Sequence, residues 1–199
     1  TSHRCIHADG DIQGQTLLIT GGAGRVGYYA IQWAVMAGAE VISTASNSSD
    51  RDLCLALGAK AVVNHREENW GQQVLVATSG KKVDRVIDVE FGANLPRILG
   101  CIAPNGVIAT YSSTQVKTPS LPFLDMMYMD LTLRMVIVYA MPESAKQAAI
   151  AAISIALEQE QLEQRVAHVV PLEKISKAHE LIETGGFGGC VVVSMESSE

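Results

Sequence analysis

Four glycines fall within the seven positions Gly21-Gly22-Ala23-Gly24-Arg25-Val26-Gly27. Glycine loses more freedom than any other residue when it is ordered, so this density must serve something a side chain would prevent. Gly22, Gly24 and Gly27 fit the spacing G-x-G-x-x-G, a weak signal alone. Here it follows an apolar run at 16–20 and opens a second one, with another strand pattern at 40–44. A strand, a glycine turn and a helix within a unit of about 30 residues are the context in which the pattern binds a dinucleotide. Gly22 is expected to allow the sharp turn, Gly24 to let a diphosphate approach the backbone, and Gly27 to let the helix pack on the strand. The amides and dipole at the helix start would favour the diphosphate's charge. The expected contacts are Gly22, Ala23, Gly24, Arg25, Val26 and Gly27, and the alternative is a glycine-rich turn that binds nothing.

The end of the second strand bears on which dinucleotide is bound. NAD-binding folds usually place an acid there for the ribose 2′-hydroxyl. This chain reads Ser43-Thr44-Ala45-Ser46-Asn47-Ser48-Ser49, with no acid before Asp50. Ser46 and Asn47 as donors, with Arg51 nearby, suit the 2′-phosphate of NADP(H) better than NAD(H). Serine and asparagine are also ordinary turn residues, so a solvated turn is the alternative. The loops after the fourth and fifth strands face the ligand in such folds. They hold Asp88 and Val89, then Tyr111 and Ser112, expected to contact the nicotinamide ribose. Asp88 could instead cap the next helix. His168 and His179 lie on amphipathic elements and are read as structural.

These residues need a frame. Strand patterns occur at 16–20, 40–44, 60–64, 84–89, 106–111 and 133–139, and helix patterns at about 25–37, 49–57, 67–79 and 92–100. The alternation predicts an α/β fold: a Rossmann-type, doubly wound, mostly parallel six-stranded sheet with helices on both faces. Ser49, with Asp52 three positions on, is the expected N-cap of the second helix, a capping-box-like start, and Gly38 and Gly58 are the expected helix ends. Only Gln32 is strongly polar between Val26 and Ala37, so that helix should be covered on more than one side. Residues 112–125 read as a long connection. A long helix follows, then a strand, a helix, a glycine turn and a last strand. The boundary is placed between residues 1–164, the dinucleotide-binding domain, and 165–199.

Of 199 residues, 48% are hydrophobic and 18% charged, which predicts a packed core. A net charge of −6 argues against a nucleic-acid partner. No apolar run approaches the roughly 20 residues of a membrane span, and the polar start gives no leader, so a cytoplasmic location is expected. Cys5, Cys54, Cys101 and Cys190 are too far apart for a zinc site and read as small hydrophobes; no metal is expected.

A short-chain reductase would need Tyr-x-x-x-Lys, and none of the five tyrosines has lysine four positions on. By contrast, GQTLLITGGAGRVGYYAIQWAVMAGAEVISTAS, LGAKAVVNHREENW, VDRVIDVEFGANLPRILGCIAPNGVIATYSS and PLEKISKAHELIETGGFGGCVVV together resemble the medium-chain dehydrogenase/reductase superfamily, and within it the zinc-independent quinone oxidoreductases. The likeness runs from Gln15 to Ser194. It implies NADPH as cofactor, and hydride transfer to a quinone or another activated unsaturated carbonyl. His65 falls where the family often has a tyrosine at the cofactor's adenosine phosphate, and Asp50 where it has a basic residue. Glu90 stands where relatives commonly have a small one. The family carries a catalytic domain ahead of the glycine motif and a substrate cleft between domains. The resemblance therefore implies a cofactor-binding part, whose residues 165–199 pack on a domain this chain lacks. It also implies a homodimer through an edge strand at 131–139. A zinc-type alcohol dehydrogenase fragment and a non-catalytic nucleotide-binding module are the alternatives.

Overall fold

In a computed structural model that describes residues 1–195, β1 (Thr16–Ile19), β2 (Glu40–Ala45), β3 (Ala61–Asn64), β4 (Val83–Asp88), β5 (Ile102–Thr110) and β6 (Thr132–Met135) form one sheet. Its order is β3-β2-β1-β4-β5-β6, and every pair is parallel. The order reverses between β1 and β4. At such a point the loops leaving two neighbouring strands diverge and open a crevice.

Side chains alternate across a strand, and the core divides accordingly. Leu18, Ile42 and Val86 join Trp70, Val74, Phe91, Leu95 and Ile98 in one buried cluster. The last five come from α4 (Trp70–Ala77) and α5 (Phe91–Cys101). Leu17, Ile19 and Ser43, also buried, point to the opposite face. There α2 (Gly27–Met36) lies on β1 and β2, and α3 (Ser48–Ala56) on β2 and β3. The doubly wound parallel sheet read from the sequence is the fold observed.

The cover over α2 was not legible. It is α1 (Ser2–His7), a helix within a segment that reads as merely polar, and it packs along α2. Cys5 and Ile6 are fully buried. His3 and His7 stand edge-on to Trp33, with ring centroids 5.1 and 5.9 Å away. The guanidinium of Arg85, buried on β4, donates to the carbonyls of Ile6 and Asp9. Arg134 forms a bidentate pair with the Asp9 carboxylate. That pair, ahead of the opposing effect of burial, holds the Asp9 carboxyl below its usual range. Two arginines thus pin α1's end to the sheet.

Other boundaries move. The second helix starts at Ser48, not Ser49, and its cap is Asn47: Asn47 Oδ1 accepts from the Asp50 amide at 2.9 Å, and Asn47 Nδ2 donates to the Asp50 carboxylate at 2.8 Å. The reciprocal box is therefore Asn47–Asp50, one step ahead of the serine run. The third helix begins at Trp70 rather than 67, because Glu67 and Trp70 close turns on Asn64 and Glu67. The sixth strand stops at Met135, and Val138–Ala140 form a 3-10 turn instead of continuing to 139. The connection after Tyr111 contains α6 (Phe123–Tyr128). Gly38 and Gly58 do end their helices, at φ +77° and +99°.

By internal contacts the chain divides into two units, Thr1–Ile155 and Ala156–Glu199. The long helix α7 (Glu143–Glu158) spans the division. In the second unit, β7 (Val166–Pro171) and β8 (Cys190–Ser194) pair in parallel, joined through α8 (Ile175–Thr184). Among the described residues no helix is long and apolar enough to cross a membrane.

Candidate functional site

The glycine turn is tied into the sheet's carboxyl edge. The Gly21 amide donates to Thr44 Oγ1 at 2.9 Å and the Gly22 amide to the Thr44 carbonyl at 3.1 Å. The sharp turn is taken by Gly21, at φ +63°, and not by Gly22. Gly22 is needed for space instead. A Cβ there would lie 2.0 Å from Ser43 Oγ and 2.8 Å from both Cys54 Sγ and Ile31 Cδ1. Gly27 packs α2 against the turn, since its Cβ would come within 2.3 Å of the Gly21 carbonyl oxygen. Gly24 differs from both: it is exposed, and a Cβ would meet only that same oxygen, at 3.1 Å. The N-cap residue of α2 is Val26, which has no side-chain oxygen to offer. The Tyr28 amide donates to the Gly24 carbonyl at 2.9 Å, so what the turn offers an anion is open space at Gly24 beside the positive end of α2. The residues present fit a diphosphate in this respect.

Beside the turn lies a cleft of about 300 Å³, bounded by Gly21, Thr44, His65, Val89 and Glu90 among others. It therefore draws on the ends of β1 to β4. Burial, then the neighbouring Arg66, lowers the pKa of His65, while Asp50 opposes both. Val89 lies over the turn, its Cγ1 3.2 Å from where a Gly21 Cβ would be. Tyr111 and Ser112 fall in a second, mostly apolar pocket of about 280 Å³ with Phe91, Lys117, Val136 and Ile137. Burial pushes the Tyr111 phenol well above its ordinary range.

The remaining residues picked from the sequence sit apart from these cavities. Ser46, Asn47 and Arg51 lie at the end of β2 and the start of α3 and line neither one. Asn47 is engaged as the helix cap, while Arg51 is exposed, 4.0 Å from Asp52. Ala23 is half-buried and Arg25 exposed on the glycine turn. Asp88 is fully buried. It accepts from Thr20 Oγ1 and Asn94 Nδ2, both at 2.8 Å, and from the Glu90 amide at 3.2 Å. Thr20 Oγ1 in turn accepts from the Val89 amide at 3.0 Å. Burial raises the pKa of Asp88 against these donors. The network braces the cleft floor from beneath, joining β1, β4 and α5. Thr20 and Asn94 were not picked from the sequence, because nothing local marks a threonine ending one strand as the partner of an aspartate ending another. Among the described residues no three His, Cys, Asp or Glu side chains gather as metal ligands.

The family profile described as zinc-binding dehydrogenase matches residues 26–154, more than half of the chain. The chain belongs to the zinc-binding dehydrogenase family. Within it, the chain is 29% identical to a pig (Sus scrofa) quinone oxidoreductase over 182 residues, covering 90% of this chain and 54% of that protein. The chain thus spans about half the length of that relative. A solved NAD-dependent alcohol dehydrogenase superposes with a TM-score of 0.82 at 26% identity, over 98% of this chain and 56% of that one. A mycobacterial protein solved with NADPH superposes at 0.83 with 23% identity, over 96% and 61%; at that identity the likeness concerns the fold.

Proposed function

We propose that this chain is the cofactor-binding part of an oxidoreductase that passes a hydride from NADPH to a quinone or another activated unsaturated carbonyl. The observation that carries the reading is the glycine turn, with an exposed, unobstructed Gly24 just ahead of α2 and a cleft alongside at the sheet's switch point. The similarity to a quinone oxidoreductase supports the substrate class.

When bound, a nicotinamide dinucleotide supplies the hydride. The residues present bind and orient it. The glycine turn, Gly22 to Gly27, would take the diphosphate, with the missing side chain of Gly24 leaving it room to approach the backbone. Arg51, with Ser46 and Asn47 beside it, would take the 2′-phosphate, and His65 would border the adenosine end. Val89, Tyr111 and Ser112 would flank the nicotinamide ribose, with Asp88 acting through Thr20 and Asn94 as a brace. The apolar pocket around Tyr111 would keep water from the reacting end. No general base with a partner is required of these residues, because hydride transfer rests on positioning and exclusion of water. The rest of the substrate cleft would come from a domain outside this sequence, against which residues 165–199 would pack.

The test is calorimetric titration of the 199-residue chain with NADPH and NADH, alongside quinone reduction. Binding of NADPH with little turnover is expected. Failure to bind either nucleotide, or turnover equal to that of a longer chain carrying the upstream domain, would overturn the reading.

A further inference from the structure

Glu90 is 8% exposed and borders the cleft. Its side chain does not cap α5. It reaches instead to the loop after β5. Oε2 accepts from the Thr114 amide at 3.0 Å and from Thr114 Oγ1 at 2.6 Å, and Oε1 accepts from the Gln115 amide at 2.9 Å. Thr114 and Gln115 are themselves exposed, in a stretch with no helix or strand. A carboxylate with three donors makes charge-assisted bonds, stronger than neutral ones.

A second pin lies alongside. The Gly92 amide donates to Ser113 Oγ at 3.0 Å, and Ser113 Oγ donates to the Val116 carbonyl. A Cβ on Gly92 would stand 2.5 Å from that carbonyl oxygen, so the loop lies directly on the first turn of α5. On one side Gln115 borders the cleft. On the other, Ser112, Ser113 and Lys117 border the apolar pocket. One short loop is therefore a wall of both cavities, and the side chain fixing it starts from the residue just ahead of α5.

We propose that Glu90 is a positioning residue, clamping residues 113–116 onto the head of α5 and so setting the shared wall of the dinucleotide cleft and the apolar pocket. The part played by the cleft rests on the cofactor reading above; the clamp does not. Burial works against the charge of Glu90, but the Thr114 hydroxyl and the amides of Gln115, Thr114 and Val116 outweigh it and hold the carboxyl below its usual range. The clamp is thus charged at neutral pH. The other ionisable groups around it are Asp88, whose carboxylate its charge repels, and His65 and Arg97 on the same cleft.

The test is residue-resolved amide hydrogen exchange on the 199-residue chain, with NADPH titrated in parallel. Glu90→Gln keeps the size and one acceptor oxygen but loses the charge; Thr114→Val removes only the hydroxyl. In Glu90→Gln the Thr114 and Gln115 amides should exchange at least tenfold faster, with Val86 and Ile87 unchanged and Thr114→Val intermediate. NADPH should bind several-fold more weakly in the same order. Corrected for intrinsic rates, protection of the two amides should fall as the wild type is acidified through the Glu90 titration and stay flat in Glu90→Gln. Unchanged exchange in Glu90→Gln would overturn the clamp, and faster exchange with unchanged NADPH affinity would overturn its link to the cleft. A wild-type chain that binds neither nucleotide would count against the cofactor reading, while the exchange arm still decides the clamp.

Discussion

Gly22 and Gly24 are two positions apart in one motif, yet the structure gives them opposite tasks, and a pair of substitutions separates them. In Gly22→Ala the new methyl would lie 2.0 Å from Ser43 Oγ. Ser43 is fully buried, and its hydroxyl donates to the Ile19 carbonyl at 3.0 Å. To make room it must rotate and leave that bond, a loss of about 0.5–1.5 kcal/mol. Cys54 and Ile31, each 2.8 Å from the methyl, must move as well, and overpacking of this kind costs about 1–3 kcal/mol. The sum, about 1.5–4.5 kcal/mol, corresponds to a fall in Tm of roughly 3–18 °C for a chain of this size. In Gly24→Val the branched side chain starts from an exposed position whose nearest neighbour, the Gly21 carbonyl oxygen at 3.1 Å, needs to yield only slightly. Its Tm should stay within about 2 °C, in line with surface substitutions worth about 0.5 kcal/mol. NADPH affinity should nevertheless fall at least a hundredfold, since the valine stands where the diphosphate must approach. Thermal melts and calorimetry on the three proteins make the measurement. Equal melting losses in the two variants would refute the division of labour, and unchanged affinity in Gly24→Val would mean that no phosphate sits on this turn.

Arg51→Ala should weaken NADPH about tenfold, the low end for a charge-assisted bond because this arginine is exposed and screened, and leave NADH unaffected. Equal losses for both nucleotides would remove Arg51 from the specificity reading. Acidification should destabilise the chain through α1: burial first, and the neighbouring His7 second, lower the pKa of His3 to about 4 from 6.5. The folded state disfavours the proton, so this stability is present above pH 6.5 and falls away towards pH 4; His3→Phe should flatten that part of a Tm-against-pH curve, and an unchanged slope would rule His3 out as its source. The edge strand β6, with exposed Met135 at its end and exposed Ile137 and Tyr139 just beyond it, is expected to pair with a second copy. Light scattering should then give a dimer that Met135→Glu converts to a monomer, and a wild-type monomer at high concentration would exclude this edge.

How much of the site could be read in advance depends on how local its cause is. The glycine spacing was legible because all four glycines fall at the junction of one strand and one helix. The division of tasks among the glycines was not, because the atoms crowding Gly22 come from β2, α3 and α2, up to 32 positions away. Asp88 was found as a strand-end acid, but its partner Thr20 is 68 residues distant. Glu90 stood out as an unusual residue at its position, and only the loop 24 and 25 residues later showed what its carboxylate holds.

The sequence by itself determined the alternation of strand and helix, the parallel sheet and the glycine turn at one strand-to-helix junction. Those follow from apolar periodicity, from β-branched runs and from glycines at one junction, all of which act over a few residues. Tertiary structure alone decided that a polar-looking N-terminal segment forms a helix and covers α2. Six residues have too little helical stability of their own, and what fixes them is burial of Cys5 and Ile6 and the hold of Arg85 and Arg134 on the end of that segment. It likewise ended the sixth strand at Met135, although the apolar run continues to Tyr139. Parallel pairing with β5 ends at Thr110–Met135, and beyond the last partner a β-rich sequence has no ladder left to join.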